Sequence, residues 1–117
     1  MQIHAITKNV RMSAQKMREV VRQIQGLPAL RAQAVLAVVP RKGARFVAKT
    51  LRSAMANAED LKEHKPEYKG VNIDALRVKE AVAETASTLR RFTPKARGSA
   101  GPILKRNCHV RIVLSDE

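Results

Sequence analysis

The sequence predicts an α+β chain with one projecting hairpin, and three observations predict it. Apolar residues recur at helical spacing in three successive segments between residues 13 and 61. Strand-like alternation marks the first eight residues and both flanks of a basic stretch near the end. From Thr85 to Ser115 no acidic residue occurs, yet Arg90, Arg91, Lys95, Arg97, Lys105, Arg106 and Arg111 do. Gly98, Gly101, Pro94 and Pro102 interleave with that charge, and large apolar side chains are almost missing. Such a stretch buries too little surface to offset its ordering entropy. Something extended and anionic outside the chain has to hold it, and a nucleic-acid backbone is the obvious candidate.

The elements follow in order. Ile3 and Ala5 alternate with Gln2 and His4, a weak strand signal. Ser13 is a good N-cap for a helix carrying Met17, Val20, Val21 and Ile24 at i, i+3, i+4 and i+7, with Gly26 as its C′ residue. Pro28 opens a second helix with Ala32, Val35, Leu36 and Val39, stopped by Pro40. Nearly uncharged apart from Arg31, that helix is expected to be the most buried. A third helix covers about residues 41–61 and keeps Ala44, Val47, Leu51, Ala54, Ala58 and Leu61 in period. Gly43 costs its first turn about 1 kcal/mol against Ala. Residues 62–70, with Pro66 and Gly70, read as a loop. Val71, Ile73, Leu76, Val78 and Val82 then read as strand, as do Cys108, Val110, Ile112 and Leu114. The simplest topology joins these as one long hairpin rising from about Leu76 and turning between Leu89 and Gly101. Its outer part has to project, because ~12 residues a side at about 3.3 Å each outreach so small a body.

Length and charge bound the function. At 117 residues the chain is expected to be one domain, 1–117, with a globular part at about 1–80 and 107–117 and an extended arm at about 81–106. Lys and Arg number 23 against 10 acids, for a net charge of +13 and a pI near 11.0. Charge that one-sided opposes compaction and fits a polyanionic partner. Glu19 is the single acid in residues 1–58, and seven acids cluster in residues 59–84, which predicts an acidic solvent side flanked by basic surfaces. The lone Cys108 excludes an intrachain disulfide and forms no zinc site by itself, which suits a reducing cytoplasm. No secretory leader and no bilayer-spanning run is expected, hence no membrane partner. No metal site, cofactor or P-loop cradle is expected either. Glu59 and Asp60 lie on an exposed helix end, and adjacent Cys108 and His109 point to opposite strand faces, so no catalytic set is foreseen.

Several groups are expected to grip a nucleic-acid backbone. Arg41, Arg45, Lys49 and Arg52 fall along one side of the third helix with no acid until Glu59. Arg18 and Arg22 share a face of the first helix, with Lys16 beside them and Arg11 in the loop entering it. Ser13 is read first as a cap and second as a phosphate contact. Arg90, Arg91 and Arg97 suit the far part of the hairpin, because a planar fork grips phosphate bidentately and stacks on bases. Lys95 adds a point charge there, and Lys105 and Arg106 on the returning strand point to opposite sides. Asn57 reads as a satisfied polar residue at a tight packing site. Phe92 reads as a base stack or as an apolar anchor under the turn. With aromatics at 3%, recognition should depend on backbone and nucleic-acid shape, not on a stacking platform.

Ordered motifs over the whole chain carry a resemblance. Arg11-Met-Ser-Ala-Gln-Lys16, Ile24-Gln-Gly26, Leu51-Arg-Ser-Ala-Met-Ala-Asn-Ala-Glu59, Thr88-Leu-Arg-Arg-Phe-Thr-Pro-Lys-Ala-Arg-Gly98 and Ile103-Leu-Lys-Arg-Asn-Cys-His109 appear in sequence. With these the chain resembles the large-subunit ribosomal protein family twenty-second in the bacterial naming series. The resemblance implies three helices on a small antiparallel sheet with a long hairpin, binding to large-subunit ribosomal RNA with Asn57 as a contact, and a part in subunit assembly. It also implies an exit-tunnel tip at Leu89, Arg90, Arg91 and Phe92, which gives Phe92 a third reading as a tunnel-facing contact, with neighbouring ribosomal proteins and, transiently, the nascent peptide as partners, and no homo-oligomer. The chain departs from the family at Glu84-Thr-Ala-Ser87, where Asp-Glu-Gly-Pro is frequent and sets the bend of the arm. It also departs at Ser99, where a cation is common, and at Gln25, usually Arg. Two other classes compete with this reading. A DNA-compacting protein would use a basic arm with an apolar wedge, but Phe92 matches a paired wedge poorly. An RNA-modifying enzyme needs a nucleophile, base or metal set that the sequence does not supply.

Overall fold

The two ends of the chain meet in one sheet. In the computed structural model, which describes residues 2–116, strand β1 (Gln2–Val10) and strand β2 (Arg77–Thr85) both pair antiparallel with the last strand, β5 (Cys108–Ser115). The order β1-β5-β2 puts β5 in the centre. Met1 and Glu117, the ends of the expected 1–117 domain, lie outside the described residues. One face of the sheet carries Ile3, Ala5, Val78, Ala81, Val110, Ile112 and Leu114 into the core; period-2 alternation places the residues of β1 and β5, and a register shift between Val78 and Glu80 brings Ala81 to the same face as Val78.

Three helices cover that face: α1 (Ala14–Val21), α2 (Ala29–Val38) and α3 (Lys42–His64). Met17, Val20 and Val21 of α1 and Val47, Leu51, Ala54 and Ala58 of α3 are the buried stripe that the 3.6-residue period foretold. Packed apolar area of this kind, at about 25 cal/mol per Å², is the main term holding the body together. The α+β architecture expected from the sequence is present, with four local corrections.

First, α1 ends at Val21, not at Gly26. Residues beyond it turn their backbone to the outer edge of β2: Gly26 N–H donates to the Val78 carbonyl (2.8 Å), Val78 N–H to Leu27 (2.9 Å) and Ala29 N–H to Leu76 (2.9 Å). Gly26 does take the left-handed conformation, φ +79°. Second, Ser13 has the extended N-cap backbone, but its hydroxyl makes no capping hydrogen bond. Third, α2 is not the most buried helix. Ala29, Ala32 and Leu36 face the core, while Leu30 is 62% and Val38 79% exposed. A helix without charge is not thereby surrounded, because only one stripe meets the layer beneath it. Fourth, residues 71–76 are not strand. The Asn72 side chain accepts from Asp74 N–H (3.1 Å) and starts the 3₁₀ turn Ile73–Ala75. Val71 and Leu76 are still buried.

The hairpin is two sheets in series. Beyond β2 and β5 lies a separate ladder of β3 (Leu89–Pro94) and β4 (Ala100–Lys105), in register from Leu89↔Lys105 to Pro94↔Ala100. Residues 86–88 and 106–107 form the break, where Ala86 N–H donates to the Asn107 carbonyl and Asn107 Nδ2 to the Ser87 carbonyl, both at 3.1 Å. The sequence put the arm at about 81–106, but Ala81 and Ala83 are buried and paired with β5. The coreless part therefore starts after Thr85. The molecule measures 67 × 28 × 16 Å with a radius of gyration of 17.7 Å. A compact chain of this length would have about 13 Å, so the arm projects.

Candidate nucleic-acid interface

Basic side chains gather in three places. The first is a groove of about 830 Å³ between α2 and α3, rimmed by Arg41, Arg45, Lys49 and Arg52. The helix period brings them to one side, as their spacing required. Arg41 Nη1 is already engaged by Glu19, 3.2 Å away. Of these cations, Arg41 at the N-cap and Arg45 stand by the first turn of α3, where a positive charge opposes the helix macrodipole by about 0.3–1 kcal/mol when exposed. Lys49 and Arg52 lie further along the helix, beyond the reach of that effect.

The second place is a cleft of about 550 Å³ at the root of the arm, lined by Arg11, Lys16, Lys42 and Arg106. Arg11 Nη1 donates to the Arg106 carbonyl at 2.9 Å and so ties the loop before α1 to the returning strand. Lys42 lines this cleft and the α2–α3 groove alike, joining them into one cationic track. Sequence reasoning missed Lys42. The signal was there, since Lys42, Arg45, Lys49 and Arg52, at i, i+3, i+7 and i+10, share one helix side as closely as the stripe begun at Arg41.

The third place is the arm. Its turn is formed by residues 95–99, closed by Lys95 N–H donating to the Ser99 carbonyl (2.7 Å). Leu89, Arg90, Arg91 and Phe92, expected at the tip, lie instead on the ascending strand β3. Alternation places Leu89, Arg91 and Thr93 with Lys105 and Ile103 on one face of the ladder. Arg90, Phe92 and Pro94 share the other face with Leu104 and Pro102. Phe92 is 76% and Leu104 48% exposed. Arg97 sits at the turn with φ +61°, an unfavourable conformation for a side chain with a Cβ. Ser99, the departure from the family pattern, donates its hydroxyl to the Ala96 carbonyl at 2.8 Å and so braces the turn. Lys95 lies over Gly101, where a Cβ would stand 2.5 Å from Lys95 Cε.

Other expected contacts have work inside the fold. Arg18 Nε donates to the Ala83 carbonyl (3.2 Å) and Gln25 Nε2 to the Ala81 carbonyl (2.6 Å), both on the outer edge of β2. Arg22 is exposed beside them and lines the same small cleft. Asn57 Nδ2 donates to the His4 carbonyl (3.2 Å), which ties α3 to β1 while the residue stays exposed. Cys108 is fully buried, and burial pushes its thiol above the ordinary range. Among the described residues no group of three or more His, Cys, Asp or Glu is placed to hold a metal, and no helix is long and apolar enough to cross a membrane.

A long basic arm braced on a three-helix body has a counterpart among known families. The model of the family described as ribosomal protein L22p/L17e matches residues 5–115. The chain belongs to that family. A large ribosomal subunit protein uL22 of Opitutus terrae is 48% identical over 116 residues, covering 99% of this chain and 96% of its own length. One of Akkermansia muciniphila is 42% identical over 117 residues, covering 100% and 98%. The L22p/L17e match takes in the body and the whole arm, so the arm is part of what this family shares with the chain.

Proposed function

We propose that this protein is a structural constituent of the large ribosomal subunit that binds large-subunit ribosomal RNA, supports subunit assembly and lines the nascent-peptide exit tunnel with its arm. It is not an enzyme, and it works in the cytoplasm as part of the ribosome. The observation that carries the reading is the arm, an ordered ladder with no side chain in the core, rooted on a cationic track, in a member of the L22p/L17e family. An arm of that kind gains stability when RNA encloses it, because its cations then meet phosphates. Arg11, Lys16, Arg18, Arg22, Arg41, Arg45, Lys49, Arg52, Asn57, Lys95, Arg97, Lys105 and Arg106 are the proposed RNA contacts, with Lys42 added to them. The face bearing Phe92 and Leu104 offers exposed apolar surface beside Arg90, which suits a wall passed by varied nascent peptides. Neighbouring ribosomal proteins are further partners, and self-association is not part of the reading.

The test is co-sedimentation of the purified chain with large subunits assembled without it. One-to-one retention after a moderate salt wash is expected, with affinity for large-subunit RNA falling tenfold or more over a few-fold rise in salt if several phosphates are neutralised. Equal affinity for random duplex DNA at matched salt would count against the reading.

A further inference from the structure

The α2–α3 groove differs in chemistry from the rest of the cationic track. Its floor is apolar, with Leu36 and Ala44 buried at the bottom and Val39 and Phe46 partly exposed. Its rim holds Arg45, Lys49 and Arg52, and among the described residues no acidic side chain lines it. A phosphate ribbon resting on those cations would need no apolar floor. An apolar peptide segment would gain nothing from so many cations. An unpaired nucleotide uses both, because its base has apolar faces that stack on aromatic rings and its phosphate is anionic. The volume of about 830 Å³ is ample for one, within the range of about 300–1,000 Å³ usual for ligand clefts.

We propose that this groove receives an extruded, unpaired nucleotide of the ribosomal RNA, its base against Phe46 and Val39 and its phosphate held by Arg45, Lys49 and Arg52. The proposal rests on the reading of the chain as an RNA-binding ribosomal protein and adds a site to it. Lys42 would carry the flanking phosphate toward the cleft at the root of the arm, since it borders both.

The test uses the full chain and an in vitro transcript of large-subunit ribosomal RNA. Ala37→Trp is the blocking variant, because Ala37 lines the groove from the exposed side of α2 and a larger side chain there leaves the core untouched. Affinity should fall about tenfold while the slope of log affinity against log salt stays unchanged, because no phosphate contact is removed. Phe46→Leu keeps an apolar floor but removes the ring face, and should weaken binding about fivefold or more. Lys49→Ala should instead lower the salt slope by about one. Ultraviolet crosslinking should join a nucleotide to the peptide containing Phe46. Wild-type affinity in both Ala37→Trp and Phe46→Leu, with crosslinks mapping elsewhere, overturns the groove site and leaves the RNA reading standing. So does a loss seen only with whole subunits and not with bare RNA, which would make the groove a protein contact. A wild-type chain that does not prefer the transcript over random duplex DNA at matched salt overturns the RNA reading itself.

Discussion

Thr50 illustrates how one hydroxyl joins two layers. Its Oγ1 donates to the Phe46 carbonyl at 2.9 Å, which uses its only proton. The 2.7 Å contact with Thr7 Oγ1 must then run from Thr7 as donor to Thr50 as acceptor, tying β1 to α3. Thr50→Val keeps the shape and leaves the Thr7 hydroxyl without that partner. The expected loss is about 1 kcal/mol, the net worth of one such bond. It would be read as a lower urea midpoint at unchanged m, and an equally stable variant would mean the pair contributes nothing. His64 gives a pH effect of known sign. The Asp60 carbonyl, 3.0 Å from its Nδ1, and then the Asp60 carboxylate, at 3.2 Å, raise its pKa above the ordinary 6.5. The folded chain therefore holds this proton more tightly than the unfolded one. The contribution is fully present below about pH 6.5 and is lost as pH rises through the folded value. An NMR titration should place the His64 midpoint above that of an unfolded peptide, and Asp60→Asn should lower it without abolishing the shift, because the carbonyl contact remains. Gly43 has a second side at this scale. A Cβ there would come within 2.9 Å of Met17 Sδ, so the smallness that costs its first turn also serves the packing of α3 on α1.

At the scale of elements, β2 is an edge strand whose outer side is paired at its start and met at two carbonyls further on. Backbone groups of residues 26–29 pair with its start, and Gln25 and Arg18 reach the Ala81 and Ala83 carbonyls beyond them. An edge covered in this way is a poorer template for pairing with another chain. Gln25→Ala should expose the Ala81 carbonyl at a cost of about 1 kcal/mol, with faster amide exchange in β2 and little change in α3. If exchange in β2 stayed at the wild-type rate, the cap would be incidental. Gln25 was legible in the sequence only as a lost charge, because its partner lies 56 positions away. The same limit explains the other differences. The periods of α1 and α3 and the alternation of β5 were readable, since each depends on neighbours within a few residues. The end of α1 was not, because backbone pairing with a distant strand decides it. The 71–76 segment read as strand from Val71 and Ile73, while the local signal that won was Asn72 bonding Asp74 N–H, a turn device that competes with extended backbone. The cationic site was legible wherever one helix carried it. Its continuity through Lys42 depends on α3 lying beside the root of the arm, which no single segment encodes.

The whole molecule is a body with a core and an arm without one, and the two should separate energetically. No residue between Glu84 and Asn107 belongs to the core cluster, and the connection narrows to the contacts around Ala86, Ser87 and Asn107 and the hydrogen bond from Arg11 to the Arg106 carbonyl. Ala86 and Asn107 already face each other as a closing pair, with the Ala86 N–H bonded to the Asn107 carbonyl. Replacing residues 87–106 with Asn-Gly would join them by the two-residue turn that matches the twist of antiparallel strands. Removing the arm also shortens the loop between β2 and β5, and loop closure becomes cheaper by only about 0.6 kcal/mol per halving. The truncated chain should therefore unfold at the same urea midpoint as the full one, or slightly above it. It should keep the Arg45, Lys49 and Arg52 groove and part of its affinity for large-subunit RNA, with a smaller salt slope because the phosphates met by the arm are no longer neutralised. Retention on large subunits after a salt wash should drop. A truncated chain that loses its fold would show that the arm braces the body. One that binds RNA with an undiminished salt slope would show that the arm's cations meet no phosphate, and its charge would need another explanation.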